Sequence, residues 1–497
     1  MHANDSDPAR IYAGTGDISS LTLFSGKETR ILAGNDIADI AFYIQNVGTS
    51  DVSVVAAGGN ITAYDSALTA GNSHMGSIAK AGDIQINGPG TIEVLAGGNL
   101  DLGIGPNFSD GTGMGLLSVG NTRNPYLPFA GANIVAGAGM GTVGIDNSAM
   151  DFTSFISKFL DPSSGGTKAT RYLPELRTLL EPLLPNEDLT NATNQEVWTA
   201  FEKLSASRRE LLALDIFYLV LRDAGRDHSD STSAGYKNYD AGYAAIEALF
   251  PGDSWKGNIS LTSREIKTKN GGNISLFAPG GALTVGYEVS GAQAIDQGIL
   301  TEHGGDISIF TYNSVNVGTS RIFTLRGGNE IIWSTVGDIA AGTSSKTVQS
   351  APPTRVLIDP QSGDVKTDLA GLATGGGIGA LETVSGVTPS DIDLIAPSGA
   401  IDAGDAGIRA SGNLTVSAVQ ILNASNIQVG GASTGTPVAA VSSIGNLQIS
   451  AQNTTPTNNV SGEDRAAAQR RAAEQQREEI PSVITVEVIG YGGGEGD

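Results

Sequence analysis

Apolar and polar positions follow two different periods along this chain. Up to about residue 150, and again from about 253 to 453, short apolar stretches alternate with polar positions. A recurrent phrase introduces many of them: Gly, then Asn or Asp, then Ile or Leu. It stands at Gly16-Asp17-Ile18, Gly59-Asn60-Ile61, Gly82-Asp83-Ile84 and Gly98-Asn99-Leu100. After a gap it resumes at Gly257-Asn258-Ile259, Gly272-Asn273-Ile274, Gly305-Asp306-Ile307 and Gly337-Asp338-Ile339, and it closes at Gly412-Asn413-Leu414 and Gly445-Asn446-Leu447. Gly supplies a turn with positive φ, Asn or Asp caps that turn with its own side chain, and the apolar residue opens a core-facing strand. Such units stack into coils at the inter-strand spacing of ~4.8 Å, which predicts a right-handed parallel β-helix. A β-sandwich with Gly-rich turns is the plainer alternative, but sandwiches rarely run past ~250 residues as one domain. The solenoid predicts about 16 coils over ~75 Å at that spacing. Ile18, Ile61, Ile84, Ile259, Ile274, Ile307 and Ile339 are expected inside it, in one common row.

Between the two β stretches the period becomes helical. Phe152, Phe155, Ile156, Phe159 and Leu160 share a face, as do Leu173, Leu176, Leu179, Leu180 and Leu183. Pro162, Pro174, Pro182 and Pro185 cut this part into short helices. A longer helix is expected from about Thr193, with Val197, Trp198, Phe201 and Leu204. Ser207 and Glu210 form a capping-box pattern ahead of Leu211, Leu214, Phe217, Val220 and Leu221. Residues 151–252 are therefore expected to be an α-helical insertion appended to the solenoid, splitting it into a first part (1–150) and a second (253–453). The apolar stripes pack against each other or the solenoid flank. Residues 454–497 combine a linker, a polar helix over Glu463–Glu479 and a terminal strand through Ile484, Val486 and Val488.

Composition narrows the function classes. Gly accounts for 67 of 497 residues and charged residues for only 16%, which suits a β-rich object with many turns. The net charge of −23 argues against a phosphate-binding surface, so no nucleic-acid partner is expected. With no Cys, disulfides, thiolate metal sites and a Cys nucleophile are excluded. The first residues have neither a basic nor an apolar signal region, so an export signal is expected upstream of them. No stretch is apolar for long enough to be a transmembrane helix.

Candidate chemistry is thin. Gly139-x-Gly141-x-x-Gly144 fits a dinucleotide fingerprint but lacks the βαβ unit around it. Gly431-Ala432-Ser433-Thr434-Gly435 fits a nucleophile elbow, yet Pro437 forbids the following helix. The four histidines, His2, His74, His228 and His303, make no metal-ligand pair, and Asp391, Asp393, Asp402 and Asp405 do not follow a Ca²⁺-loop spacing. No cofactor, metal or catalytic residue is expected. A β-helical enzyme acting on polysaccharides is the alternative function, but the Asn-Thr-Asp, Asp-Asp and Gly-His-Gly signatures of polygalacturonases are absent.

Several stretches together resemble the C-terminal region of filamentous-haemagglutinin-family exoproteins. They are Tyr243 to Ile246 with Leu249-Phe250-Pro251-Gly252, Gly271 to Gly281, and Gly327-Gly328-Asn329-Glu330-Ile331-Ile332-Trp333-Ser334 with Gly337 to Gly342. Ala351-Pro352-Pro353, Asp393 to Pro397, Gly404 to Arg409 and Val486 to Tyr491 extend the similarity. The resemblance implies a non-catalytic structural or adhesive segment of a Gram-negative two-partner-secretion protein, displayed at the surface, associated with the outer membrane or secreted. It further implies host-cell or matrix surfaces as partners, and an outer-membrane transporter engaged through an upstream region. Within the chain, Tyr236, Tyr239 and Tyr243 beside the helical stretch are the candidate recognition residues, because rigid amphipathic rings anchor contacts.

Overall fold

Apolar side chains at every second position of successive strands can all be buried only if the chain coils around them. A computed structural model shows this arrangement. It describes residues 7–69, 81–103, 114–121, 128–141, 150–164, 170–262, 264–286, 298–342, 355–358, 365–368, 375–383 and 386–436. The described strands form a parallel β-helix of two long sheets, one of 19 strands and one of 10, with a separate antiparallel pair at Arg355–Ile358 and Val365–Asp368. The larger sheet covers two faces. Ile392–Asp402 and Leu414–Leu422 run continuously from one face to the next and join them.

Eleven rungs stack on the principal face among the described residues. In order they are Ala9–Ala13, Thr29–Ala33, Val52–Ala57, Thr91–Ala96, Asn133–Ala138, Ile274–Ala278, Ile307–Thr311, Glu330–Ser334, the first part of Ile392–Asp402, the first part of Leu414–Leu422, and Ser433–Thr434. That is fewer than the expected 16 coils, and shortens the stack to ~48 Å at the inter-strand spacing. The difference comes from coils much longer than 22 residues: 62 positions separate Glu330 from its partner Ile392.

The expected interior isoleucines are all buried, but in three rows. One runs Ile18, Ile37, Ile61, Leu100, Ile259, Leu283, Val315, Ile339 and Ile401. Ile84 stands on the ten-stranded face between Phe42 and Leu116, and Ile274 and Ile307 stack on the principal face above Ile134. A three-sided coil needs a separate apolar row for each side.

The Asn and Asp of the repeated phrase do something other than cap their own turns. Each of those among the described residues presents Oδ1 to a backbone N–H of the next coil. Asp36 accepts from Asn60, Asn60 from Asn99 and Asn99 from Asn258, at 2.6, 2.9 and 2.9 Å. A second ladder links Asn133, Asn273, Asp306, Asn329, Asp391 and Asn413, at 2.7–2.9 Å per step. Backbone donors at the corners, which no strand pairing reaches, are thereby satisfied. Gly is required beside these ladders because coils touch there. A Cβ on Gly97 would lie 2.1 Å from the Gly58 carbonyl oxygen and 2.2 Å from that of Gly141.

Five α-helices among the described residues lie between the Asn133–Ala138 and Ile259–Ser260 strands: Phe152–Phe159, Leu173–Leu180, Asn194–Glu202, Ala206–Ser229 and Asp240–Leu249. The capping box forms at Thr193 and Glu196, not at Ser207 and Glu210. Ser207 is already inside the helix that starts after Ser205, whose side chain makes no capping bond. Among the described residues the longest helix is therefore Ala206–Ser229, with 24 residues.

That helix runs lengthwise over the principal face. The Phe217 ring packs on Phe310, Tyr218 donates to the Leu276 carbonyl at 2.8 Å, Arg226 pairs with Asp393, and Ser229 meets Ser417. Together these contacts cross from the sixth rung to the tenth. Its neighbours share a core with the outward row Leu32, Ala56, Leu95, Phe277, Phe310, Trp333 and Ile395. The helical segment is thus the lid of a second hydrophobic layer, more than a module appended to a finished rod. Removing it would expose that row.

Candidate recognition surface

The three candidate tyrosines follow the turn after the long helix, and the structure gives them different roles. Tyr236 is 43% exposed, with the Lys237 Nζ 5.1 Å from its ring centroid. Tyr243, on the Asp240–Leu249 helix, is 39% exposed and meets Trp333 edge-on at 6.1 Å. Tyr239 is half-buried. It stacks on His228 at 4.1 Å, meets Trp333 at 5.9 Å and shares a hydrogen bond of 3.1 Å with Ser417. Tyr239 therefore packs the joint, while Tyr236 and Tyr243 present ring surface outward. Tyr243 lies 6.5 Å from Tyr239, and Trp333 lies beneath both.

Ser417 organises the joint. Its Oγ lies 2.9 Å from His228 Nδ1, 3.1 Å from the Tyr239 hydroxyl and 3.2 Å from Ser229 Oγ. A hydroxyl next to an imidazole is the opening geometry of a nucleophile–base pair. Here Ser417 is 2% exposed, covered by the helices. Burial, followed by the Lys237 ammonium, pushes the His228 pKa down. Both favour the neutral ring that can accept from Ser417. The cluster fastens helix to solenoid.

Charged groups continue this interface along the long helix. Arg226 holds Asp393 through two bonds of 2.8 and 2.7 Å and reaches Asp391 at 3.6 Å. Asp393 is only 1% exposed, and burial raises its pKa despite the guanidinium. Two acids of this region are raised. Desolvation and then Glu210 push Glu93 up to about 7, and desolvation and then Asp306 push Asp215 to about 7. Asp402, another of the acidic residues considered from sequence, accepts from the Gly404 N–H and from Asn423 at 2.8 and 2.7 Å. Among the described residues, no group of three or more His, Asp or Glu is placed to hold a metal ion.

Glu330 was not singled out by sequence reasoning. It occupies the inward row between Ile307 and Ile392, with no exposed surface. Its Oε1 accepts from the Thr324 N–H at 3.1 Å, its Oε2 has no partner, and burial pushes it up to about 8. The signal was available: Asn329-Glu330 is a place where the repeated phrase continues with a charge instead of Ile.

Parallel coils, cross-coil Asn ladders and a buried joint roofed by helices define a β-helical scaffold. Within it, residues 327–438 match the model of the family described as "Filamentous haemagglutinin family outer membrane protein". The match begins at the turn before Glu330 and takes in the last four rungs, including Trp333, Asp393 and Ser417, which receive the helices. No curated protein and no solved structure matches the chain.

Proposed function

We propose that this chain is a non-catalytic, structural and adhesive segment of a large filamentous-haemagglutinin-like protein, secreted or displayed at the cell surface, and that it mediates attachment to cells or surfaces. The observation that carries the proposal is the coincidence of the family match with the rungs on which the helical lid docks. Tyr236 and Tyr243, exposed on that lid, are the proposed contact residues, and the partner is a host-cell or matrix surface. Export through an outer-membrane two-partner transporter, engaged by an upstream region, completes the proposal.

The test is binding of the fluorescently labelled chain to cell layers and matrix-coated surfaces. Replacing Tyr236 and Tyr243 together by Ala should lower binding at least about tenfold, a loss of ~1.4 kcal/mol, with the melting temperature little changed. Tyr239→Phe should leave binding intact, since its ring packing is kept. Equal binding by the double variant and the natural chain would refute the assignment of these tyrosines. Absence of binding to every surface tested would refute adhesion itself.

A further inference from the structure

The strand Ile392–Asp402 enters the ninth rung after a long excursion. The corner residue before it, Asp391, stands 62 positions from Asn329, to which it bonds, whereas the corresponding bonds before and after span 23 and 22. A short turn pins the register of the strand that follows it, and an excursion of this length does not. The core leaves a choice as well. Ile392, Leu394 and Ala396 point inward, while Asp393 and Ile395 point outward beneath the helices. A slip of one residue would turn Asp393 inward, but a slip of two keeps Leu394 and one apolar neighbour in the core. What changes then is which outward residue meets the helix. In the outward row Ser275, Ser308, Ile331, Asp393 and Thr415, Asp393 is the charged member, and it is 1% exposed. Its two oxygens accept from Arg226 Nε and Nη2 at 2.8 and 2.7 Å. Two positions on, Ile395 fills the space that Gly225 leaves, since a Cβ there would lie 2.3 Å from Ile395 Cγ1. Adjacent helix residues thus meet alternate strand residues, a cation on the acid and a glycine on the isoleucine.

We infer that the Ala206–Ser229 helix sets the register of this re-entering strand, with Arg226 as the positioning residue that selects among alignments two residues apart. Slipped one way, the strand offers Asp391 to the guanidinium and buries Asp393 against Gly225, beside Trp333, with no cation. Slipped the other way, it puts Ile395 beneath Arg226 and Pro397, which has no N–H for the sheet, in the place of Ile395. A buried pair adds little net stability, yet a buried charge deprived of its partner is heavily penalised. The pair is therefore a weak fastener and a strong discriminator. The Asn329 side chain, which accepts from the Asp391 N–H at 2.9 Å, favours the same alignment from the corner. One neutral bond at an exposed corner weighs less than an unpaired buried charge. The helix, not the corner, decides.

Methyl NMR of the full chain, labelled at isoleucine, tests this. The natural chain should give one signal each for Ile392 and Ile395, the latter displaced by the ring of its strand partner Trp333. The chain Arg226→Met, Asp393→Leu replaces the pair by apolar residues of similar size and should stay folded, with little change in melting temperature. Its Ile392 and Ile395 signals should each divide in two, the weaker holding about a tenth or more of the intensity. Ile84 and Ile134, on distant strands, should remain single. The chain Arg226→Gln, Asp393→Asn keeps hydrogen-bonding groups at both positions, should divide the same signals, and serves if the apolar chain folds poorly. Undivided signals in a folded variant would overturn the inference and leave the pair as a fastening alone. Division that extends to Ile84 and Ile134 would overturn it too, because the loosening would then be general. Failure of both variants to fold would make the pair a stabilising element and equally refute it.

Discussion

The Asn99 side-chain oxygen accepts a hydrogen bond from the Asn258 backbone N–H at 2.9 Å, although the entire helical segment separates the two residues in the chain. Asn60 makes the same bond to Asn99 at the same length. Rung-to-rung geometry is therefore conserved across the point where the chain leaves the solenoid and returns. Leu100 pairs with Ile259 as if no excursion had occurred.

Asn99→Ala should consequently destabilise the fold by about 1–2 kcal/mol, because it strands the Asn258 N–H without a partner. Asn99→Asp should cost less, since Asp36 performs the same task for Asn60. Urea unfolding, with the slope unchanged between variants, provides the measurement.

Two glycines set how closely the helices approach. A Cβ at Gly225 would lie 2.3 Å from Ile395 Cγ1, and one at Gly242 would lie 2.5 Å from Trp333 Cη2. Gly225→Ala or Gly242→Ala should therefore destabilise by about 1–3 kcal/mol, against the helix propensity that normally favours Ala. For Gly242→Ala, thermal melting followed by tryptophan fluorescence, in a chain with Trp198 and Trp255 replaced by Phe, should report the displaced Trp333.

Arg226→Ala should cost about 1–3 kcal/mol at neutral pH, because buried Asp393 loses its main counter-charge. Asp393→Asn in the same chain should recover part of the loss. The penalty should shrink as pH falls, since the abandoned carboxyl can then protonate. A penalty that grows on acidification would contradict this account. Melting temperatures of both variants between pH about 5 and 8 give the comparison.

Glu330 should make stability fall with rising pH. Its folded pKa, about 8, lies above the unfolded value of ~4.3. Its favourable contribution is therefore complete below the unfolded value and declines as pH rises through the folded one. Glu330→Gln should remove this part of the slope. Glu330→Ile, which restores the apolar row of Ile307 and Ile392, should also raise the melting temperature above that of the natural chain at pH about 8.

Much of this architecture was legible because the solenoid repeats its physics locally. Gly-Asn-Ile marks a corner, a cross-coil acceptor and an inward apolar residue within three positions, so single-sequence periodicity found the coils. It could not tell that Asp17, Asp36 and Asn60 reach outward to the next coil, because local capping and cross-coil bonding ask for the same residue types. The helical lid was visible at Phe155 and Phe217, and the solenoid flank was one of its two expected partners, but the strands that receive it were not identified. The clue was in the strands themselves. Ile274–Ala278 and Ile307–Thr311 carry Phe277 and Phe310 at positions that would otherwise face water, which is how strands covered on both sides look. The tyrosines divide for a similar reason: spacing could not separate Tyr239, committed to Ser417 and His228, from the exposed Tyr236. The C-terminal helix and strand expected over 454–497 lie outside the described residues.

The 24-residue helix also acts as a ruler on the repeats beneath it. From Tyr218 to Ser229 it advances about 17 Å at 1.5 Å per residue, and from the sixth rung to the tenth the solenoid advances ~19 Å. Two unrelated periodicities thus come to nearly the same length over this span. Gaining or losing a single coil there would carry Asp393 a full rung away from Arg226 and Ser417 away from His228. Copy-number change, the cheapest way for a solenoid to evolve, is therefore closed to these four intervals. It stays open only to coils the helix does not measure.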